Sequence, residues 1–160
     1  MALSVVDWNT RNNIECSHLT ASNAAFPLHT HEEYAISANL SGVEKLFLNR
    51  KNLSVLAGDI TVYNPGTLQS SGFGGQPVEF FSVHLPAAVF ADLADRPLPI
   101  LHEGVLRDPQ LFDAICHFVR SPDDEQVQQQ NLLWLTSRLL HHSSEKDVAL
   151  APASVGRALE

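Results

Sequence analysis

Two histidines one residue apart, His29 and His31, run directly into Glu32, Glu33 and Tyr34, a compact set of groups able to hold an ion or a polar ligand. Imidazoles bind zinc or iron, but a zinc site prefers a third strong donor and a two-histidine iron site needs its carboxylate. Glu32 and Glu33 sit directly beside His31 and reach a shared ion only after local rearrangement. Without an ion, the same histidines form a polar pair bonded to backbone or water. A third reading makes them the convergent polar groups of an organic-ligand pocket. His84 either joins such a pocket or ends a strand, and Tyr34 competes as a core aromatic with its hydroxyl satisfied. No Ser or Cys has a nucleophile context and no Gly-rich phosphate loop follows a strand, so neither a catalytic residue nor a cofactor is expected.

These groups act only if the backbone positions them. Up to Pro86 the chain reads as short β-rich runs broken by turn residues, the pattern of a sandwich or barrel. Tyr34–Leu40 closes on Ser41-Gly42, Glu44–Leu48 on Asn49-Arg50-Lys51, Leu53–Leu56 on Ala57-Gly58-Asp59, and Ile60–Tyr63 on Asn64-Pro65-Gly66. A loose loop is expected over Gly72–Gly75, then a strong strand, Val78–Leu85. Alternation puts Phe81, Val83 and Leu85 on one face of it as core, and Phe80, Ser82 and His84 on the other, where a polar group can line a cavity.

After Pro86 the period turns helical. Pro86–Ala94 starts with a proline; Asp108-Pro109 opens a second helix with Leu111, Phe112, Ile115, Phe118 and Val119 on one side. Ser121-Pro122-Asp123-Asp124 reads as a Ser cap followed by acids that suit the positive helix end, leading into Gln126–His142. Its stripe of Leu132, Leu135 and Leu139, broadened by Leu133 and Leu140, is wide enough to pack on the barrel and on a partner together, and marks those three leucines as dimerisation candidates. Asn131 either sets register at that seam or is solvated. His141 and His142 suit the negative end of the helix dipole. Ser143–Pro152 reads as a linker, and Ala153–Glu160 as the opening of another helix.

At 160 residues, 44% hydrophobic and 18% charged, the chain has the balance of one folded domain. Ten basic residues scattered among eighteen acidic ones, net charge -8, exclude a phosphate-gripping surface. Cys16 and Cys116 lie far apart, as core cysteines of a reducing compartment do. With no signal-peptide pattern and no apolar run of membrane-spanning length, a cytoplasmic protein without membrane contact is expected.

The order His29-Thr30-His31-Glu32-Glu33-Tyr34, Gly42, Gly58-Asp59, Tyr63-Asn64-Pro65-Gly66, then the Phe80–Leu85 strand and its following helices, resembles the N-terminal domain of AraC-family transcription regulators. The final Val155-Gly156-Arg157-Ala158-Leu159-Glu160 resembles the start of that family's DNA-binding domain. The resemblance implies a cupin barrel, a mainly β jelly roll or double-stranded β-helix, followed by α-helices. In that family the barrel binds a small effector, the helices dimerise, and paired helix-turn-helix motifs further on bind promoter DNA. Metal-binding cupins add a glutamate and a later histidine to the first pair; here those positions fall at Ala35 or Ile36 and at Gln69, so the resemblance implies no metal. The implied pocket takes its polar groups from His29, His31, Tyr34, Gln69 and His84, and its walls from Phe81, Phe47 and Trp8.

The expected organisation is a ligand-binding barrel over residues 1–100, a helical dimerisation segment over 101–145, and a linker with the start of a DNA-binding domain over 146–160. The expected function is effector sensing, with a small molecule and a second copy as partners and DNA reached only through a further domain. The rivals are a small metal-dependent cupin enzyme, an isomerase or dioxygenase, and a stand-alone metabolite binder.

Overall fold

Turn chemistry sets the strand boundaries. Asn12-Asn13 and Asn49-Arg50 are two-residue turns with positive φ at both positions (51° and 63°, 52° and 64°), whose twist suits antiparallel neighbours. The computed structural model describes residues 2–29 and 31–143, with residues 2 and 27–29 described by backbone alone. In chain order come β1 (Ala2–Arg11), β2 (Ile14–Ser22), β3 (Ala24–His29), β4 (Tyr34–Ser41), β5 (Glu44–Leu48), β6 (Lys51–Val55), β7 (Ile60–Tyr63), β8 (Gln69–Phe73) and β9 (Val78–Leu85). Helix α1 (Ala87–Ala94), strand β10 (Gly104–Leu106), α2 (Pro109–Val119) and α3 (Glu125–Leu140) follow. The strands form two antiparallel sheets, ordered β1-β2-β9-β4-β7-β10 and β3-β8-β5-β6. This is the expected cupin jelly roll with helices behind it.

The largest core lies outside the barrel. Phe81, Val83 and Leu85 of β9 join Ile36 and Ala38 of β4, and Ile14 and Cys16 of β2, on the face that the helices cover. Phe90 from α1, Leu111, Ile115 and Phe118 from α2, and Leu132, Leu135 and Leu139 from α3 complete it. Each such side chain contributes about 1.5–3 kcal/mol by leaving water. Both cysteines belong to this layer, and burial pushes the Cys16 thiol up to about 12, against the lowering effect of Arg11.

One glycine is demanded by close approach. Gly42, at φ 85°, passes so near the chain entering β9 that a Cβ there would lie 2.4 Å from the Pro77 carbonyl oxygen. This closes the turn between β4 and β5.

Several expectations need correction. Strands β1, β2, β3, β8 and β10 were not anticipated, and Gly72 and Phe73 lie inside β8, not in a loop. Because β10 pairs with β7, the barrel sheet takes a strand from beyond residue 100. The cap of α3 is Asp124, whose carboxylate accepts from the Gln126 and Val127 N–H groups. Ser121 instead donates to the His117 carbonyl and accepts from Asn131, so Asn131 ties α3 to the end of α2. Leu132, Leu135 and Leu139 are 3%, 0% and 0% exposed, spent within the chain's own core and closed to a partner; Leu133 and Trp134 face outward. The linker beyond residue 143 and the terminal helix lie outside the described residues.

Asp108 joins the helices electrostatically. It caps α2 through the Gln110 and Leu111 N–H groups and meets His142 at 2.8 Å and Arg138 at 3.4 Å. Burial alone would raise its carboxyl, but the hydrogen bonds from His142 and Leu111 and the charge of Arg138 outweigh it and bring it down to about 2. His142 thus has a specific carboxylate partner besides the helix dipole.

Two measurements check this packing. Leu135→Ala is expected to cost about 2–5 kcal/mol in urea unfolding, and Leu133→Ala on the outward side less than about 1 kcal/mol. Because the Asp108 carboxyl sits below its unfolded value, its stabilisation is complete above about pH 4 and lost as pH falls. Asp108→Asn should cost about 1–2 kcal/mol at pH 7, and most of that difference should vanish near pH 2.

Candidate functional site

The sheet face that the helices leave uncovered looks into the barrel. Ala35 and Ser37 of β4, Thr61 and Tyr63 of β7, Phe80, Ser82 and His84 of β9, and Leu19 of β2 point there. Opposite them stand Phe26, Glu44, Gln69, Ser71 and Phe73 of the smaller sheet. Between the two sheets lies a cavity of about 280 Å³, which Leu3 and His31 also touch.

Strand register gives this cavity two characters. Phe73 and Phe80 lie parallel with centroids 6.1 Å apart, and Phe26 meets Phe73 edge-on at 5.7 Å. Four residues along β9 from Phe80, His84 approaches His31 with ring centroids 5.2 Å apart. Between these ends, Ser82, Ser37 and Thr61 are neighbours in register across β9, β4 and β7. Glu44 stands beside Phe73 across β5 and β8. Burial pushes its carboxyl above the usual range, and a hydrogen bond with Ser71 draws it partly back. The Tyr63 hydroxyl is raised too, first by burial and then by the charge of Glu44.

The segment carrying His31 is pinned by the Asn64-Pro65-Gly66 turn. Gly66 N–H donates to the His31 carbonyl at 2.8 Å. Asn64 clamps the Leu101 backbone from both sides at 2.9 Å, and Glu103 accepts from the Asn64 N–H at 2.8 Å and from the Thr67 hydroxyl. The turn therefore locks the strand preceding the helices to the rim of the cavity. His84 Nδ1 lies 3.5 Å from a Glu15 carboxylate oxygen on the neighbouring strand.

Of the five residues expected at a ligand, His31, Gln69 and His84 line this cavity. The His29 backbone is in register with Gln69, and its side chain lies outside the described residues. Tyr34 does not reach the cavity; its alternative reading as a core aromatic with a satisfied hydroxyl is the one found. Odd positions of β4 face the barrel, so Tyr34 points the other way, fully buried, with its hydroxyl donating to the Pro99 carbonyl. The expected walls are also corrected: Phe81 belongs to the helix-side core, while Phe47 and Trp8 are 38% and 56% exposed.

Among the described residues no group of three or more His, Cys, Asp or Glu is placed to share an ion. His31 and His84 form a pair with ring centroids 5.2 Å apart, and Gln69 lines the same cavity.

Comparison with known sequences decides the family. The sequence model of the AraC-like ligand binding domain matches residues 11–145. The chain belongs to the AraC-like ligand-binding domain family. No curated protein matches it at the sequence level. Among solved structures, the AraC-like domain is similar to a putative ethanolamine utilization protein Q of Salmonella typhimurium, at 21% identity and TM-score 0.47, over 54% of this chain and 72% of that one. It is also similar to a Klebsiella pneumoniae protein with a double-stranded β-helix domain, at 25% identity and TM-score 0.43, over 53% and 71%. A cupin-2 domain protein of Shewanella frigidimarina gives 13% identity and TM-score 0.45, over 52% and 79%.

Sequence reasoning missed Glu44, Ser71, Tyr63 and the ring pair Phe26 and Phe73 of this AraC-like domain. For Glu44 the signal was available: in Glu44–Leu48 the glutamate shares its face with Leu46 and Leu48, both buried. A charged residue in phase with buried leucines marks a carboxylate turned inward.

The two faces of one sheet should respond differently to added bulk. Ser82→Leu, which grows into the cavity, is expected to change stability by less than about 1 kcal/mol. Ala38→Leu, which grows into the helix-side core, should cost about 1–3 kcal/mol in the same urea titration. Equal costs would show that the barrel interior has no room.

Proposed function

We propose that this AraC-like domain senses a small-molecule effector in the barrel cavity, forms a homodimer, and controls attached helix-turn-helix DNA-binding domains in a cytoplasmic transcription regulator. The observation that carries the reading is the cavity itself. Its walls combine aromatic rings with a few convergent polar groups, the composition of ligand sites in general. No helix among the described residues is long and apolar enough to cross a membrane.

Occupancy reaches the helices through parts that touch both regions. Leu3 of β1 borders the cavity, and the turn ending that strand sits on α3. There the Asn12 N–H donates to Gln128 at 3.0 Å and its side-chain amide to Gln129 at 2.7 Å. A ligand that prefers one setting of this hairpin shifts the population of α3 positions, and so the relation of two attached DNA-binding domains. With Leu132, Leu135 and Leu139 consumed internally, the dimer contact falls to the outward side of α3, at Leu133 and Trp134, which are 47% and 37% exposed.

A thermal-shift screen against a metabolite library tests sensing, since a ligand of the folded state raises its melting temperature. For a compound found this way, Gln69→Ala or His31→Ala should weaken binding about tenfold, roughly 1.4 kcal/mol, and Ser82→Leu should abolish it. Unchanged affinity in all three would place the ligand elsewhere. In sedimentation at tens of micromolar protein, Trp134→Glu should convert dimer to monomer; a wild-type monomer, or a dimeric variant, rejects the proposed contact.

A further inference from the structure

We infer that the cavity takes a small organic cation, an ammonium group resting on Glu44 beside the Phe73 ring, with an apolar body against Phe80 and Phe26. The inference rests on the sensing role proposed above and narrows the chemistry of its ligand.

Glu44 is inside the barrel, and no Lys or Arg is among the described residues that line the cavity. Its polar neighbours are hydroxyls: Ser71 hydrogen-bonds to it, and Tyr63 is close enough to feel its charge. Glu44 is half-buried, and a carboxylate partly withdrawn from water is stabilised by a cation or a proton. Among the described residues lining the cavity no lysine or arginine meets it, and burial shifts the group toward its neutral form. A ligand bearing an ammonium supplies the absent charge and meets the carboxylate in a charge-assisted hydrogen bond.

The surroundings favour a cation over a neutral polyol. Glu44 and Phe73 are directly opposed on adjacent strands, Phe80 lies parallel to Phe73, and Phe26 meets Phe73 edge-on. Ring faces attract a cation through their quadrupole, more strongly where water is excluded. Leu19 and Leu3 add apolar surface that suits an alkyl or aryl body. An anion is disfavoured at this end, because it would meet the carboxylate.

The test is a thermal-shift series on the 160-residue chain with phenethylamine and butylamine, each beside its alcohol counterpart, and with glucose and benzoate. At least one ammonium compound should raise the melting temperature by about 5–10 °C at a hundredfold excess over its Kd, while its alcohol does not. Glu44→Gln should lose that shift and Glu44→Asp retain part of it. Without ligand, Glu44→Gln should melt at or above the wild type, because it removes the unpaired charge. Should Glu44→Gln not fold, the amine–alcohol comparison and Glu44→Asp still decide. An alcohol, glucose or benzoate stabilising as strongly, a shift that survives in Glu44→Gln, or silence from both amines would overturn the cation inference. The sensing role fails separately, only if the broad metabolite library is also silent.

Discussion

Side chains alternate across the six-stranded sheet, and helices seal only one of its faces. That asymmetry underlies everything else in the molecule. Tyr34, Ile36, Phe81, Val83 and Leu85 meet α1, α2 and α3 on the covered side, where most of the large buried side chains gather. With that layer supplying much of the hydrophobic stabilisation, the inward face can carry Ser37, Thr61, Ser82 and His84 around a cavity. A barrel that had to be its own core could not keep polar groups in register across three strands without a solid filling.

The second constraint is local. Asn64, Gly66, Thr67 and Glu103 form one hydrogen-bonded knot holding the His31 segment, β7 and the chain leading to α2 in fixed relation. Asp108 makes a similar knot where α2 begins and α3 ends. Both depend on short polar side chains taking the place of backbone partners, which is why turn residues rather than helices or strands locate the rim of the cavity.

Much of this was legible in the sequence, for reasons that also explain the failures. β4, β5, β7 and β9 stood out because two-residue alternation and turn residues coincided in each. α2 was marked by Asp108-Pro109 and a clean apolar side. The first hairpin went unread because β1 exposes Val5, Val6 and Trp8 on both sides, leaving no alternation, although Asn12-Asn13 was a turn signal in plain view. For Tyr34 the sequence leaves both a cavity and a core reading open, and strand parity, which sends adjacent residues to opposite faces, selects the core. The leucines of α3 showed an apolar stripe, but a stripe does not reveal whether the chain itself or another molecule covers it. Glu44 is a charge in a short strand that looks like surface, although its phase with Leu46 and Leu48 turns it inward.

The position of the two thiols has a practical side. Cys16 lies on β2 and Cys116 on α2, in the layer that glues helices to sheet, and neither is in a disulfide. A thiol reagent needs access and the thiolate form, and burial withholds both from Cys16, which is 1% exposed. Alkylation of Cys16 therefore registers the moments when helices and sheet part company. The native sequence thus contains its own clock for that separation, with no label to be introduced.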